Sequence, residues 1–133
     1  MKKAYLSIGY QSRQLLNAEI ETIRQTLAKF EIDLFIFVDV YHFSADQEKQ
    51  MMQQAFAAIE SADFLIAEVS EKAIGVGIEI RYAAASHKPI IYIRNADAAH
   101  STTSAGCARD RVIYQNEEDL RKKLAAVLSN LTR

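Results

Sequence analysis

Ala62-Asp63-Phe64-Leu65-Ile66-Ala67-Glu68-Val69-Ser70-Glu71-Lys72-Ala73-Ile74-Gly75-Val76-Gly77-Ile78-Glu79-Ile80 is the stretch that decides the fold of this chain. It opens on a short apolar run, Phe64 to Ala67, which Glu68-Val69-Ser70 end. A loop with Gly75 and Gly77 follows, and a helix is expected from about Gly77 to His87, stopped before Pro89. Beyond it Ile90-Ile91-Tyr92-Ile93 is a second apolar run of strand length. Apolar runs without alternation suit strands covered on both faces, which is the habit of parallel sheets.

The same alternation extends in both directions. Upstream lie a strand over Ala4–Ile8, a helix marked by Leu16, Ile20, Ile23, Leu27 and Phe30, a strand over Leu34–Val38, and a helix marked by Met52, Phe56 and Ile59. Downstream, a polar loop covers Asn95 to Asp110 and Val112-Ile113-Tyr114 is a fifth strand. Asn116 caps a last helix with Leu120, Leu124, Val127, Leu128 and Leu131 on one face, and Glu117, Glu118 and Asp119 suit its positive end. Strand and helix in turn give an α/β fold, a five-stranded parallel sheet wound on both sides into a three-layer sandwich. The expected order is 2-1-3-4-5. Ligands bind beyond the carboxyl ends of such strands, so Gly9–Arg13, Asp39–Ser44, Glu68–Glu79 and Asn95–Gly106 are the segments to search.

Composition narrows the classes. The 133 residues make one domain, 1–133, with 50% hydrophobic and 25% charged residues. Sixteen Lys+Arg against seventeen Asp+Glu give a net charge of −1, so no global field favours nucleic acid or an anionic membrane. Neither partner is expected. No run of about 18 apolar residues is present to span a bilayer. Cys107 is the only cysteine, which excludes an intrachain disulfide and a four-cysteine zinc site. The apolar part of Met1–Ile8 is too short for a signal peptide, and a reducing, cytoplasmic setting is the expectation.

The richest chemistry lies where strand 3 runs into its helix. Gly75 and Gly77 let a backbone approach a ligand, and helix N-terminal amides suit an anion or sugar oxygens. Glu79, expected in the first helical turn, would be kept ionised by the helix dipole, and an ionised, positioned carboxylate can attack an electrophilic sugar carbon. A tight turn with a dipole-satisfying Glu explains the same letters. The dinucleotide fingerprint is absent, since a third glycine is missing and the motif follows the third strand. Glu68 is a second carboxylate expected near Glu79, able to bind a sugar hydroxyl or merely backbone amides. Tyr41-His42-Phe43 has the residues to stack a base, or to form an exposed loop. His42, His87 and His100 show no metal spacing, and Cys107 reads as a small buried hydrophobe.

On these residues, Ala62 to about Arg94 with Gly75-Val76-Gly77-Ile78-Glu79 and Lys88-Pro89-Ile90, the chain resembles the nucleoside 2-deoxyribosyltransferase superfamily. It is most similar there to 2'-deoxynucleoside 5'-phosphate N-hydrolases, which carry Ala-Asp-x-x-x-Ala-Glu-Val ahead of Gly-x-Gly-x-Glu. The resemblance implies the same sandwich, a flavodoxin-like architecture, and assigns Glu79 as nucleophile on the anomeric carbon of a 2-deoxyribosyl group. It implies a Tyr near the nucleophile, matched by Tyr5, and self-association, as a homodimer or higher oligomer. A Ser in the loop after strand 4, matched by Ser101, then reaches a neighbour's site. Gly9, Glu68, Gly75 and Gly77 complete the expected substrate-binding set. Three positions depart from the pattern. Ile8-Gly9-Tyr10-Gln11 stands for Gly-Ser-Ile-Arg, with Ser12 and Arg13 as stand-ins. Ala55 falls where the family has an acid, and Ala73 where it has a phosphate-contacting Ser; Asp39, Asp46 and Glu48 are the substitutes for the acid.

The expected function is cleavage or transfer of the N-glycosidic bond of a 2-deoxynucleoside or its 5'-monophosphate, a small-molecule reaction that needs no metal or organic cofactor. The alternative is a catalytically impaired nucleotide-binding module of the same fold, which Ala55 favours. The retention of Gly75, Gly77 and Glu79 together favours the enzyme. A receiver-like module fits less well, because only Asp39 is available as a phospho-acceptor.

Overall fold

The computed structural model describes residues 1–40 and 42–131. In chain order, β1 (Lys2–Ile8) leads into α1 (Tyr10–Leu15) and α2 (Asn17–Ala28), and β2 (Ile32–Ile36) into α3 (Phe37–Val40) and α4 (Glu48–Ser61). Then β3 (Phe64–Glu68) precedes α5 (Ile74–Ala85), β4 (Ile90–Asn95) precedes α6 (Thr102–Gly106), and β5 (Asp110–Tyr114) precedes α7 (Glu117–Leu131). The strands pair in parallel in the order β2-β1-β3-β4-β5, the order expected from the sequence.

Alternation across each strand feeds two cores. Ala4, Leu6, Ile66, Ile91, Ile93 and Val112 pack with Ile20, Ile23 and Leu27 of α2 and Leu120, Leu124 and Leu128 of α7. Tyr5, Leu65, Ala67, Ile90 and Tyr92 point the other way, against Ala55 and Ile59 of α4 and Val76, Ile80 and Ala83 of α5. Each fully buried Leu or Ile contributes about 1.5–3 kcal/mol. Truncating Leu124, which is 0% exposed, to Ala removes roughly 2–5 kcal/mol. Asn116 caps α7 as expected, its Oδ1 accepting the Asp119 N–H at 2.9 Å.

Several boundaries differ from the sequence reading, each for a physical reason. The second strand covers Ile32–Ile36, and Phe37-Val38 belong to the single turn of α3. β2 is an edge strand whose ladder with β1 ends at Leu6↔Ile36, so nothing holds the next residues extended. α1 has only Ser12 buried and therefore no apolar spacing to read. α6 interrupts the expected loop, with the Ser101 Oγ accepting the Ser104 N–H at 3.4 Å. α5 starts at Ile74, earlier than expected, and includes both glycines. Gly in a helix costs about 1 kcal/mol relative to Ala; burial of Val76 and Ile80 outweighs it. α5 ends at Ala85, and His87 takes a left-handed φ of 60° that lets the Lys88 N–H reach the Ala83 carbonyl at 2.9 Å. Cys107 is exposed at the end of α6, not buried as expected, since only Ala105 of that short helix faces the core. No helix among the described residues is long and apolar enough to cross a membrane.

Candidate active site

Alternation along β1 places Tyr5 and Ser7 on the α4/α5 face, Ser7 nearer the carboxyl edge. Their hydroxyls converge on one side chain of α5. The Tyr5 hydroxyl donates to Oε2 of Glu79, and the Ser7 hydroxyl to Oε1 at 2.7 Å. Tyr5 is wholly buried while Glu79 keeps partial exposure. Glu79 is the sixth residue of α5, beyond the first turn, where the dipole has faded. The expected dipole effect is therefore replaced by local chemistry. Burial pushes the Glu79 carboxyl above the usual range, and the two hydroxyl donors pull it back in part. Burial, then the neighbouring carboxylate, push the Tyr5 phenol far up, so it remains a proton-bearing donor. A carboxylate fixed at both oxygens, free of ion pairs among the described contacts, is equipped for nucleophilic attack.

Glu68 is not brought to Glu79. In β3, Leu65 and Ala67 face α4 and α5, so Glu68 faces the opposite layer. There it is 1% exposed and accepts the Ser70 N–H at 2.7 Å, the Ser70 hydroxyl at 3.0 Å and the Tyr114 hydroxyl at 3.0 Å. Burial raises its carboxyl too, against those three bonds.

At the end of β1, Gly9 is buried and extended, and α1 begins beyond it. Glu71 comes from the loop before α5 and seats its Oε1 on the Ser12 N–H at 2.9 Å. A Cβ on Gly9 would collide with that carboxylate. Arg13 turns away, gripping Asp39 through two bonds of 2.9 and 2.8 Å and Asn17 at 2.9 Å. The pair takes Asp39 out of contention as a free acid.

Gly75 and Gly77 lie on the exposed first turn of α5, where an added Cβ would meet open space. No side chain caps that turn. Gly77, Val76, Ala73 and Glu71 form one wall of a cavity of about 530 Å³, and His100, Ser101 and Thr102 form another. The opposing loop is held from below. The Tyr92 hydroxyl bridges the His100 Nδ1 and the Ser101 N–H at 3.2 Å each, and the buried Arg94 donates to the Asn95, Ala96 and Ala98 carbonyls. Ser101 is thus brought to the glycine turn within one chain.

Of the remaining candidates, Tyr41 lies outside the described residues, His42 is exposed, and Phe43 stacks on Phe37 with centroids 6.0 Å apart. Ala55 is 2% exposed in the core of α4. Asp46 accepts from Ser44, and Glu48 opens α4. No group of three or more His, Cys, Asp or Glu that could hold a metal occurs among the described residues. Ser7, Glu71 and Arg94 are among the participants that escaped the sequence reading. Ser7 was within reach of it, two residues after Tyr5 on the same strand face. Glu71 and Arg94 were not, because their partners are fixed only by the fold.

Comparison with known proteins gives consistent findings. A family model described as nucleoside 2-deoxyribosyltransferase matches residues 5–131. A curated relative, 5-hydroxymethyl-dUMP N-hydrolase of Branchiostoma floridae, is 37% identical over 57 residues, 43% of this chain and 54% of that protein. The match thus spans about half of the relative's length. Among solved structures, a Clostridium botulinum CMP N-glycosidase has a TM-score of 0.67 at 23% identity, covering 94% of this chain and 99% of that one. A 2-deoxyribosyltransferase from Bacillus psychrosaccharolyticus has a TM-score of 0.70 at 14% identity, covering 95% of each chain. At these identities the likeness to the solved structures is one of fold.

Proposed function

The chain belongs to the nucleoside 2-deoxyribosyltransferase family, and on that premise we propose that it is an enzyme that breaks or transfers the N-glycosidic bond of 2'-deoxynucleosides or their 5'-monophosphates with Glu79 as nucleophile. The observation that carries this reading is the Glu79 carboxylate, fixed by the Tyr5 and Ser7 hydroxyls at the carboxyl end of the sheet. A Glu79 oxygen attacks C1', the C1'–O bond forms as the C1'–N bond breaks, and the electron pair leaves with the base, which takes a proton from solvent. Water or the nitrogen of a second base then attacks C1' and gives up its proton to solvent, as the C1'–O bond to Glu79 breaks and the carboxylate is restored. Tyr5 and Ser7 hold the nucleophile in one orientation. Gly75 and Gly77 leave room for the sugar over the uncapped turn of α5, beside Ser101. The step needs no metal or organic cofactor.

The test is incubation with a panel of deoxynucleosides and deoxynucleoside monophosphates, followed by chromatography for free base. Base release that Glu79→Gln abolishes supports the proposal; undiminished release in Glu79→Gln overturns it. A binding module of the same fold is the second reading, favoured by Ala55, and predicts nucleotide binding without base release.

Self-association belongs to the same proposal. Ile74 is 86% and Ile78 44% exposed on one side of α5. With Phe56, Gly77, Arg81, Tyr82 and Ala85 they border a mostly apolar surface depression. A helix apolar on both sides is made to be covered twice, here by the sheet and by a second copy of the chain. Ile78→Lys should convert the oligomer to monomer in sedimentation. Mixing Glu79→Gln with Ser101→Ala restores activity only if Ser101 serves the neighbour's site.

A further inference from the structure

Glu71 stands at this edge, and the proposed reaction does not use it. Its carboxylate lies on the Ser12 N–H and fills the space a Cβ on Gly9 would need, and Glu71 lines the cavity shared by Gly77 and Ser101. Gly9 follows Ser7, the partner of Glu79, by two residues of extended backbone, roughly 7 Å. The two carboxylates are thus anchored near the same end of β1, Glu79 through Ser7 and Glu71 beside Gly9, and Glu71 is the one of the pair that lines the cavity.

The charges around that space are unbalanced. Arg13, the cation next to Gly9, is spent on Asp39 and Asn17. Arg94 is buried beneath the carbonyls of its own loop. Lys72 stands exposed at the cavity rim, where solvent and salt screen it. The uncapped amides of α5 can donate to a hydroxyl oxygen as well as to a phosphate, so they do not choose between them. The choice is left to Glu71. An anionic group brought into the cavity that Glu71 lines meets a like charge, whereas a neutral hydroxyl does not.

Resting on the N-glycosidic reading above, we propose that Glu71 is a specificity-determining residue that turns the site toward uncharged 2'-deoxynucleosides and away from their 5'-monophosphates. The relatives' names include monophosphate substrates, so the chain would differ from them at this point.

The experiment compares kcat/KM for base release from a 2'-deoxynucleoside and its 5'-monophosphate, in wild type, Glu71→Gln and Glu71→Ala. Binding of both compounds to Glu79→Gln and to Glu79→Gln/Glu71→Gln is followed by calorimetry. Gln keeps the acceptor for the Ser12 N–H, and Glu71→Ala checks that the result is not peculiar to Gln. The wild type should prefer the nucleoside, and both Glu71 variants should move the ratio toward the monophosphate by about tenfold or more, as removal of a facing like charge implies. The calorimetric ratio should move the same way. A wild type that prefers the monophosphate, or a ratio that Glu71 substitution leaves unchanged, overturns the proposal. If no base is released from either compound, the catalytic reading fails while the calorimetric ratio still decides the role of Glu71. If neither compound binds, both fall.

Discussion

Two carboxylates stand at the carboxyl edge of the sheet, one on each face, and they are built from the same parts. Glu79 receives a tyrosine hydroxyl from Tyr5 and a serine hydroxyl from Ser7; Glu68 receives a tyrosine hydroxyl from Tyr114 and a serine hydroxyl from Ser70. Burial pushes both carboxyls up. They differ in how they are closed. Glu68 adds a backbone N–H, is 1% exposed, and ties β3 to β5 and to its own following loop. Glu79 has no backbone donor and keeps a partly open side next to a turn made bare by two glycines. Identical chemical equipment thus serves closure on one face and access on the other. A carboxylate's role is decided by what is left uncovered around it.

The comparison breaks most visibly in turnover. Glu79→Gln should cut base release by roughly a thousandfold or more, as loss of a covalent nucleophile does, with the protein still folded by circular dichroism. Glu68→Ala should do the reverse. It strands the Ser70 and Tyr114 donors at about 1–3 kcal/mol each, lowering the melting temperature while kcat changes far less. Equal losses of activity in both would erase the distinction between the faces.

A third carboxylate on the Glu79 face tests whether partners are required. Ala55 packs in the α4/α5 core with no hydroxyl directed at it in the described bonds. Ala55→Asp, although it restores the acid of the resembled family's pattern, should cost about 3 kcal/mol or more through an uncompensated buried charge. Chemical denaturation reads this directly. A variant of unchanged stability and raised activity would show that this part of α4 opens to the site.

The tyrosines sharpen the contrast further. Tyr5→Phe removes a bond to an ionised group, worth about 1.5–3 kcal/mol and so roughly 10–100-fold in rate if it holds the reactive form. Because that bond lowers the Glu79 carboxyl, its loss should also move the acidic limb of the kcat/KM profile to higher pH. Tyr114→Phe should leave that limb in place. A shift in Tyr114→Phe but not in Tyr5→Phe would exchange the roles of the two clusters.

The sequence made one of these clusters legible and hid the other. Glu79 stood out through Gly75 and Gly77, and Tyr5 through the resemblance, but the helix start was misplaced because glycines read as punctuation. Burial of Val76 and Ile80 overrides that weak local preference and carries the helix back to Ile74. The order of the sheet was readable because apolar runs and helix spacing fix it. The run Leu34–Val38 misled at its end, since an apolar run records burial and not conformation: Phe37 is buried within a helical turn. Glu68 could not be assigned to a face until the register of β3 was known, as a shift of one residue reverses every side chain. The contact of Glu71 with Ser12 spans 59 residues and leaves no local signal at all.

The smallest expected effect is on stability, and it follows from the direction in which burial moves Glu79. A carboxyl raised in the folded state binds its proton more tightly there than in the unfolded chain. Its contribution to stability is therefore complete below the unfolded value, about 4.3, and is lost as pH rises through the folded one. Gln at this position carries no charge at any pH and lacks that loss. The melting temperature of Glu79→Gln minus that of wild type should be constant in acid, climb as pH rises from the unfolded value through the raised carboxyl, and level off above it. Each unit by which Glu79 is raised corresponds to about 1.4 kcal/mol. Asp46 and Asp119, both lowered by their hydrogen bonds, act in the opposite sense but cancel in the difference. Glu68→Gln should show the same trend from a lower starting point, since its amide cannot accept at both oxygens from Ser70 and Tyr114. A difference curve for Glu79→Gln that falls with pH would mean that Tyr5 and Ser7 outweigh burial. The open carboxylate would then be the more stabilising of the two, and the face with access would not be held at the expense of the fold.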